Sequence, residues 1–134
     1  MPKNVAIIAA YPDDEVLGCS GTIARYTETG DLISILILAE GLTSRDPSRS
    51  RDASSALLGY LAECAQKVSQ ILGAVDVKLL EFPDNRMDSV GLLEVIKTVE
   101  DWLAYVRPSV VYTHHVGDVN VDHTVVYRAV VTAC

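Results

Sequence analysis

Asn4-Val5-Ala6-Ile7-Ile8-Ala9-Ala10-Tyr11-Pro12-Asp13-Asp14-Glu15 is the stretch whose reading decides the fold. Its first half is a run of β-branched and small apolar residues with no polar face to offer water. It therefore reads as a strand buried on both sides, as the strands of parallel sheets are. The run ends at a proline followed by three consecutive carboxylates. Acidic side chains delivered to the C-terminal end of such a strand lie where open α/β sheets keep their ligand sites. A solvated turn, or a helix start whose dipole favours acids, would read the same way, so a second cluster carries weight. After the apolar Val110-Val111-Tyr112 come Thr113-His114-His115-Val116-Gly117-Asp118-Val119-Asn120-Val121-Asp122-His123, which hold all three histidines of the chain.

Between these clusters, strands and helices alternate. Strands are read at Val5 to Ala10, Leu32 to Ala39, Val77 to Phe82, and Ser109 to Tyr112 or Thr113. Helices are read from Glu15 to Glu28, Ser54 to Leu72, Ser89 to Val106, and from Val121 or Asp122 to the C-terminus. Gly30 and Gly73 stop the first two helices. The small residues Gly18, Ser20 and Gly21 are read as close packing of helix on sheet. Leu57, Leu58, Leu61, Cys64, Ala65, Val68, Ile71 and Leu72 form an apolar stripe at three- and four-residue spacing. Leu42 to Asp52 is polar and without period, and is expected to be a mobile loop on the acidic edge, either a lid or a solvated connection.

Parallel strands joined by helices require right-handed crossovers. The expected fold is α/β, a Rossmann-like three-layer sandwich with a mainly parallel sheet in the order 3-2-1-4, shortened at its C-terminus. The switch point between strands one and four brings Asp13, Asp14 and His123 within reach of one another.

At 134 residues the chain reads as one domain, and 49% hydrophobic with 22% charged residues fits a packed α/β core. A net charge of −7 without a basic cluster excludes nucleic acid and anionic membrane surfaces as main partners. A metal or a small neutral or cationic ligand suits it better. Cys19, Cys64 and Cys134 are an odd set without metal-type spacing, which indicates free thiols and a cytoplasmic location. No apolar stretch is long enough to span a bilayer. The apolar pattern at the end of the chain is expected to be covered in a homo-oligomer.

A carboxylate and an imidazole at one sheet edge can hold Zn²⁺, and an adjacent carboxylate can act as general base on water. Here the residues resemble a known family. Tyr11-Pro12-Asp13-Asp14-Glu15-Val16-Leu17-Gly18 resembles the AHPDDE-[VL]-LG signature of the LmbE/PIG-L zinc-dependent de-N-acetylases. Asp118-Val119-Asn120-Val121-Asp122-His123 resembles their second motif. The resemblance implies Asp13 as general base, Asp14 and His123 as metal ligands, and Asn120 as the group that polarises the substrate carbonyl. It implies substrate contacts at Asp84, Asn85, Arg86, His114 and His115. The reaction implied is removal of an N-acetyl group from an N-acetylglucosamine-type amino sugar or conjugate.

Tyr11 departs from the pattern, standing where the family has a histidine ligand. Ionising a phenol at neutral pH costs about 4 kcal/mol, so Zn²⁺ is expected to be held weakly or not at all. Ala62, where related sequences often carry arginine, removes a substrate contact, and the chain is shorter than its relatives. These departures open a second reading, a catalytically impaired or non-catalytic relative acting as a binding or structural domain.

Overall fold

The structure is a computed structural model describing residues 1–134. Its elements are β1 (Asn4–Ala9), α1 (Asp14–Glu28), β2 (Leu32–Ala39), α2 (Ser55–Leu72), β3 (Asp76–Phe82), α3 (Leu92–Val106), β4 (Val110–Tyr112) and α4 (Val121–Ala133). The four strands form one parallel sheet in the order β3-β2-β1-β4, as the alternation predicts. β1 pairs with β2 from Asn4 with Leu32 to Ala9 with Ile37, and with β4 from Val5 with Val110 to Ile7 with Tyr112.

Successive side chains of a strand point to opposite faces, so the two central strands build two cores. Ala6, Ile8, Leu36 and Leu38 pack with Val95, Val99 and Trp102 of α3 and with Val126, Ala129 and Val130 of α4. Val5, Ile7, Ile33, Ile35 and Ile37 pack on the other face with Ile23 of α1 and Ala65 of α2. Each fully buried aliphatic side chain contributes roughly 2 kcal/mol of transfer free energy. That holds β1 rigidly, and with it the position of whatever leaves its C-terminal end.

Three local expectations are corrected. The α2 stripe is wider than its contact with the sheet, since Leu57 and Ile71 are 61% and 82% exposed and only Ala65 and Ser69 are fully buried. Gly18 and Gly21 do not mark close packing, because a Cβ at either position would meet nothing within 4 Å. The third helix starts at Leu92 rather than Ser89, because Met87–Ser89 first make a 3-10 turn that drives Met87 into the core. Where β2 ends, Gly41 has φ +87, and a Cβ there would lie 3.0 Å from Cδ of Pro12. Two chain exits from the sheet thus meet at the acidic edge.

Candidate metal and acyl-transfer site

β1 ends in a turn in which the Asp13 N–H donates to the Tyr11 carbonyl (2.9 Å), and the Tyr11 N–H donates to Oδ2 of Asp14 (2.9 Å). This aims the Asp14 carboxylate back across the end of β1. From the other side comes the first turn of α4. Asn120 caps that helix through its side-chain oxygen, which accepts from the N–H groups of Asp122 (2.9 Å) and His123 (3.2 Å). The cap fixes the amide orientation, leaving Nδ2 of Asn120 as a donor near Oδ1 of Asn85 (3.3 Å).

Nε2 of His123 lies 3.2 Å from Oδ2 of Asp14, and Nδ1 lies 2.7 Å from Oδ2 of Asp118. The hydrogen bond from His123 holds the Asp118 carboxyl below its ordinary value, so it is ionised and can only accept. Nδ1 therefore carries a proton and donates it to Asp118, which turns Nε2 toward Asp14. Nε2 is buried without a hydrogen-bond partner, because its 3.2 Å approach to Asp14 lacks hydrogen-bond alignment. A ring nitrogen and a carboxylate oxygen this close at the sheet edge are a donor pair that a cation can share. A carboxylate behind the imidazole is the usual support of a metal-ligating histidine.

His114 closes the group. Its Nε2 lies 3.6 Å from Oδ2 of Asp14, its ring stacks on His123 at 3.8 Å, and Asp14, His114 and His123 each offer a ligand atom within 4.8 Å of the others. The Nε2 atom also accepts the Ala10 N–H at 2.9 Å. Burial, and then the nearby His123, push the His114 pKa down to about 4, so the ring is neutral at physiological pH. His115, one residue on, is exposed and accepts the Gly117 N–H at Nδ1, away from the group. Alternation along the chain lets only one of the adjacent histidines turn inward.

Tyr11 lies outside the three-donor group. Its hydroxyl is 2.8 Å from Oδ2 of Asp122 and 2.8 Å from Oδ1 of Asn85. Burial and the Asp122 carboxylate push the phenol above its ordinary pKa, so it remains a hydrogen-bond donor. Asp122, fully buried, also accepts the N–H groups of Asn85 (2.7 Å) and Met87 (3.0 Å), tying the turn after β3 to α4. Asn85, at φ 51, therefore stands beside Tyr11 and Asn120. Asp84 and Arg86 point elsewhere. Asp84 is buried and accepts the Ser44 N–H (3.1 Å), and Arg86 donates to the Asp46 carbonyl (3.2 Å).

The 42–52 loop, expected to be mobile, is pinned to this edge. The buried Glu40 receives Thr43, Arg49 and Arg51. Asp13 is exposed beside Asp14, and burial and then the Asp14 charge raise its pKa, while Asp14 is raised mainly by burial. Two carboxylates without a cation resist simultaneous ionisation. Sequence reasoning gave no role to Asp118 or Asp122. Their signal was present in the spacing of Asp118, Asn120, Asp122 and His123, which puts two acids within one helical start.

The family model described as PIG-L, GlcNAc-PI de-N-acetylase, matches residues 6–134. The chain is 31% identical over 137 residues to a protein of Escherichia coli K12 described as an uncharacterized deacetylase, YaiS, covering 98% of this chain and 68% of that one. A probable N-acetyl-alpha-D-glucosaminyl L-malate deacetylase 2 of Bacillus anthracis is 26% identical, with 98% and 59% covered. The crystal structure of N,N'-diacetylchitobiose deacetylase from Pyrococcus horikoshii superimposes with a TM-score of 0.82 at 21% identity, covering 98% of this chain and 49% of that one. The last likeness is one of fold. The chain thus spans between about half and two thirds of the length of these proteins.

Proposed function

The chain belongs to the PIG-L family, and from that premise we propose that it hydrolyses the N-acetyl group of an N-acetylglucosamine-type conjugate in a zinc-dependent reaction, releasing acetate. The observation that carries this reading is the Asp14, His123 and Asp118 arrangement, with its buried ring nitrogen 3.2 Å from a carboxylate oxygen. A nitrogen and an oxygen donor with a carboxylate behind the imidazole suit Zn²⁺. Bound by Asp14 and His123, such an ion supplies Lewis-acid polarisation of the acyl oxygen and makes water more acidic.

The chain's own groups do the rest. Asp13, exposed beside Asp14 and with a raised pKa, accepts the proton of the attacking water and returns it to the leaving amine. Nδ2 of Asn120, oriented by the helix cap, donates to the acyl oxygen as negative charge develops on it. Asn85, whose backbone is clamped by Asp122, offers a polar contact for sugar hydroxyls at the same edge.

Tyr11 favours the second reading, a relative that binds the amino-sugar conjugate without turning it over, since its hydroxyl is committed to Asp122. The two are separated by measuring acetate release from N-acetylglucosamine and its malate and inositol conjugates, with chelator-treated and zinc-loaded protein. Release that depends on zinc and disappears in Asp13→Asn supports the enzyme. Saturable conjugate binding by zinc-loaded protein without acetate supports the binding domain.

A further inference from the structure

We infer that His114 is a positioning residue, which closes the end of β1 in place of a strand and holds the His123 ring in line with Asp14. The inference deepens the reading above by naming what aims the ring nitrogen that reading uses, and it is decided without metal or substrate. β4 pairs with β1 only from Val110 to Tyr112, while β1 runs on to Ala9. The Ser109 N–H donates to the Asn4 carbonyl (2.8 Å), so the β1 groups that face β4 recur at every second residue. That row continues through Ala6 to the Ile8 carbonyl and the Ala10 N–H. Ile8 and Ala10 are buried, and buried backbone groups need partners. No main-chain group beyond Tyr112 meets them. Instead, Oγ1 of Thr113 donates to the Ile8 carbonyl (2.9 Å) and Nε2 of His114 accepts the Ala10 N–H (2.9 Å). Two side chains replace two rungs, and the main chain is free to leave the sheet for the loop that carries Asp118, Asn120 and His123.

The same imidazole supports His123. The hydrogen bond to Asp118 holds one edge of the His123 ring (2.7 Å) and by itself leaves the ring free to swing about that bond. The His114 ring lies on the face of His123, with centroids 3.8 Å and planes 15° apart, and removes that freedom. Edge and face together set Nε2 of His123 at 3.2 Å from Oδ2 of Asp14. Two different demands thus fall on one side chain, since Ala10 needs an acceptor and His123 needs a flat surface. Glutamine supplies the first, phenylalanine the second, and a neutral imidazole both. With its Nε2 lone pair spent on Ala10, His114 supports the donor pair of Asp14 and His123 rather than joining it.

The test is NMR of the metal-free full chain, comparing the wild type with His114→Phe, His114→Gln and His114→Ala at two protons, the Ala10 amide and the Nδ1 proton of His123. In His114→Phe the Ala10 amide is expected to exchange at least about tenfold faster while the His123 proton stays bonded to Asp118. In His114→Gln the Ala10 amide is expected to stay protected while the His123 proton exchanges at least about tenfold faster, and His114→Ala should loosen both. A merely structural role would move the two protons together in every variant, and that outcome overturns the inference, as does His114→Ala with both unchanged. If the variants do not fold, the wild type decides. A scalar coupling between the Ala10 nitrogen and Nε2 of His114, with ring-current shifts of the His123 ring protons, is expected there, and the lack of either overturns the inference. Because every reading is taken without zinc, a chain that then fails to bind zinc overturns the metal-dependent reading and not this one.

Discussion

Nδ1 of His123 donates to Oδ2 of Asp118 across 2.7 Å, and this one bond determines which way the other ring nitrogen faces. With a proton held on Nδ1, the other nitrogen, Nε2, is presented to Asp14. Removing the Asp118 carboxylate in Asp118→Ala releases both tautomer and ring orientation. Zinc affinity is expected to fall about 10- to 100-fold, read by calorimetry, while the nitrogen chemical shifts of His123 move from one tautomer to a mixture.

Asp13 lies one residue before Asp14 on the exposed side of the turn. Asp13→Asn leaves the donor group untouched and removes a proton acceptor. Acetate release is expected to drop by about 10²- to 10⁴-fold, with zinc affinity retained. Loss of both together would place Asp13 among the ligands instead.

Asp122 accepts from Tyr11, Asn85 and Met87 in a fully buried position. Tyr11→Phe deletes one of these donors and is expected to cost about 1 kcal/mol. Asp122→Ala strands the backbone N–H groups of Asn85 and Met87 while the Tyr11 hydroxyl keeps Asn85 as a partner, and is expected to cost roughly 2–4 kcal/mol. Urea unfolding of the two variants beside the wild type measures the difference.

Glu40 ties down the 42–52 loop. Burial raises its pKa, but the hydrogen bonds from Arg49, Thr43 and Arg51 outweigh that and hold the carboxyl below its ordinary 4.5. A depressed folded-state pKa contributes stability that is complete above the unfolded value and disappears as the pH falls through the folded one. Wild type is therefore expected to melt above Glu40→Gln at neutral pH. The gap should close as the pH drops below about 4.5, which thermal melts from pH 7 to pH 3 will show.

The sheet order was legible because the runs Val5 to Ala10 and Leu32 to Ala39 are apolar at every position, a pattern that only a strand covered on both faces satisfies. The meeting of Asp14 with His123 followed from that order and the switch-point rule. The direction of Tyr11 was not legible, since its partner Asp122 is distant in sequence and the choice between ligand and tie depends on a rotamer. The inward turn of His114 over His115 was limited to one of two by alternation, but which one is decided by the Ala10 N–H and the stack on His123. The α2 stripe overstated burial because leucines at helical spacing mark an apolar face, and how much of that face is covered depends on what lies beside it.

β1 and β4 lie side by side, although nearly the whole chain separates them in sequence. Closing that pairing carries the largest loop-closure cost in the sheet, so it belongs to the latest stage of assembly. Asp14 comes from the first strand's exit and His123 from beyond the last, so neither can share an ion with the other until β4 has docked. An ion held there would act as a latch on the docked β4 and α4. It would tie the exit of β1 to the start of α4 and so oppose the departure of β4 and α4 from the sheet.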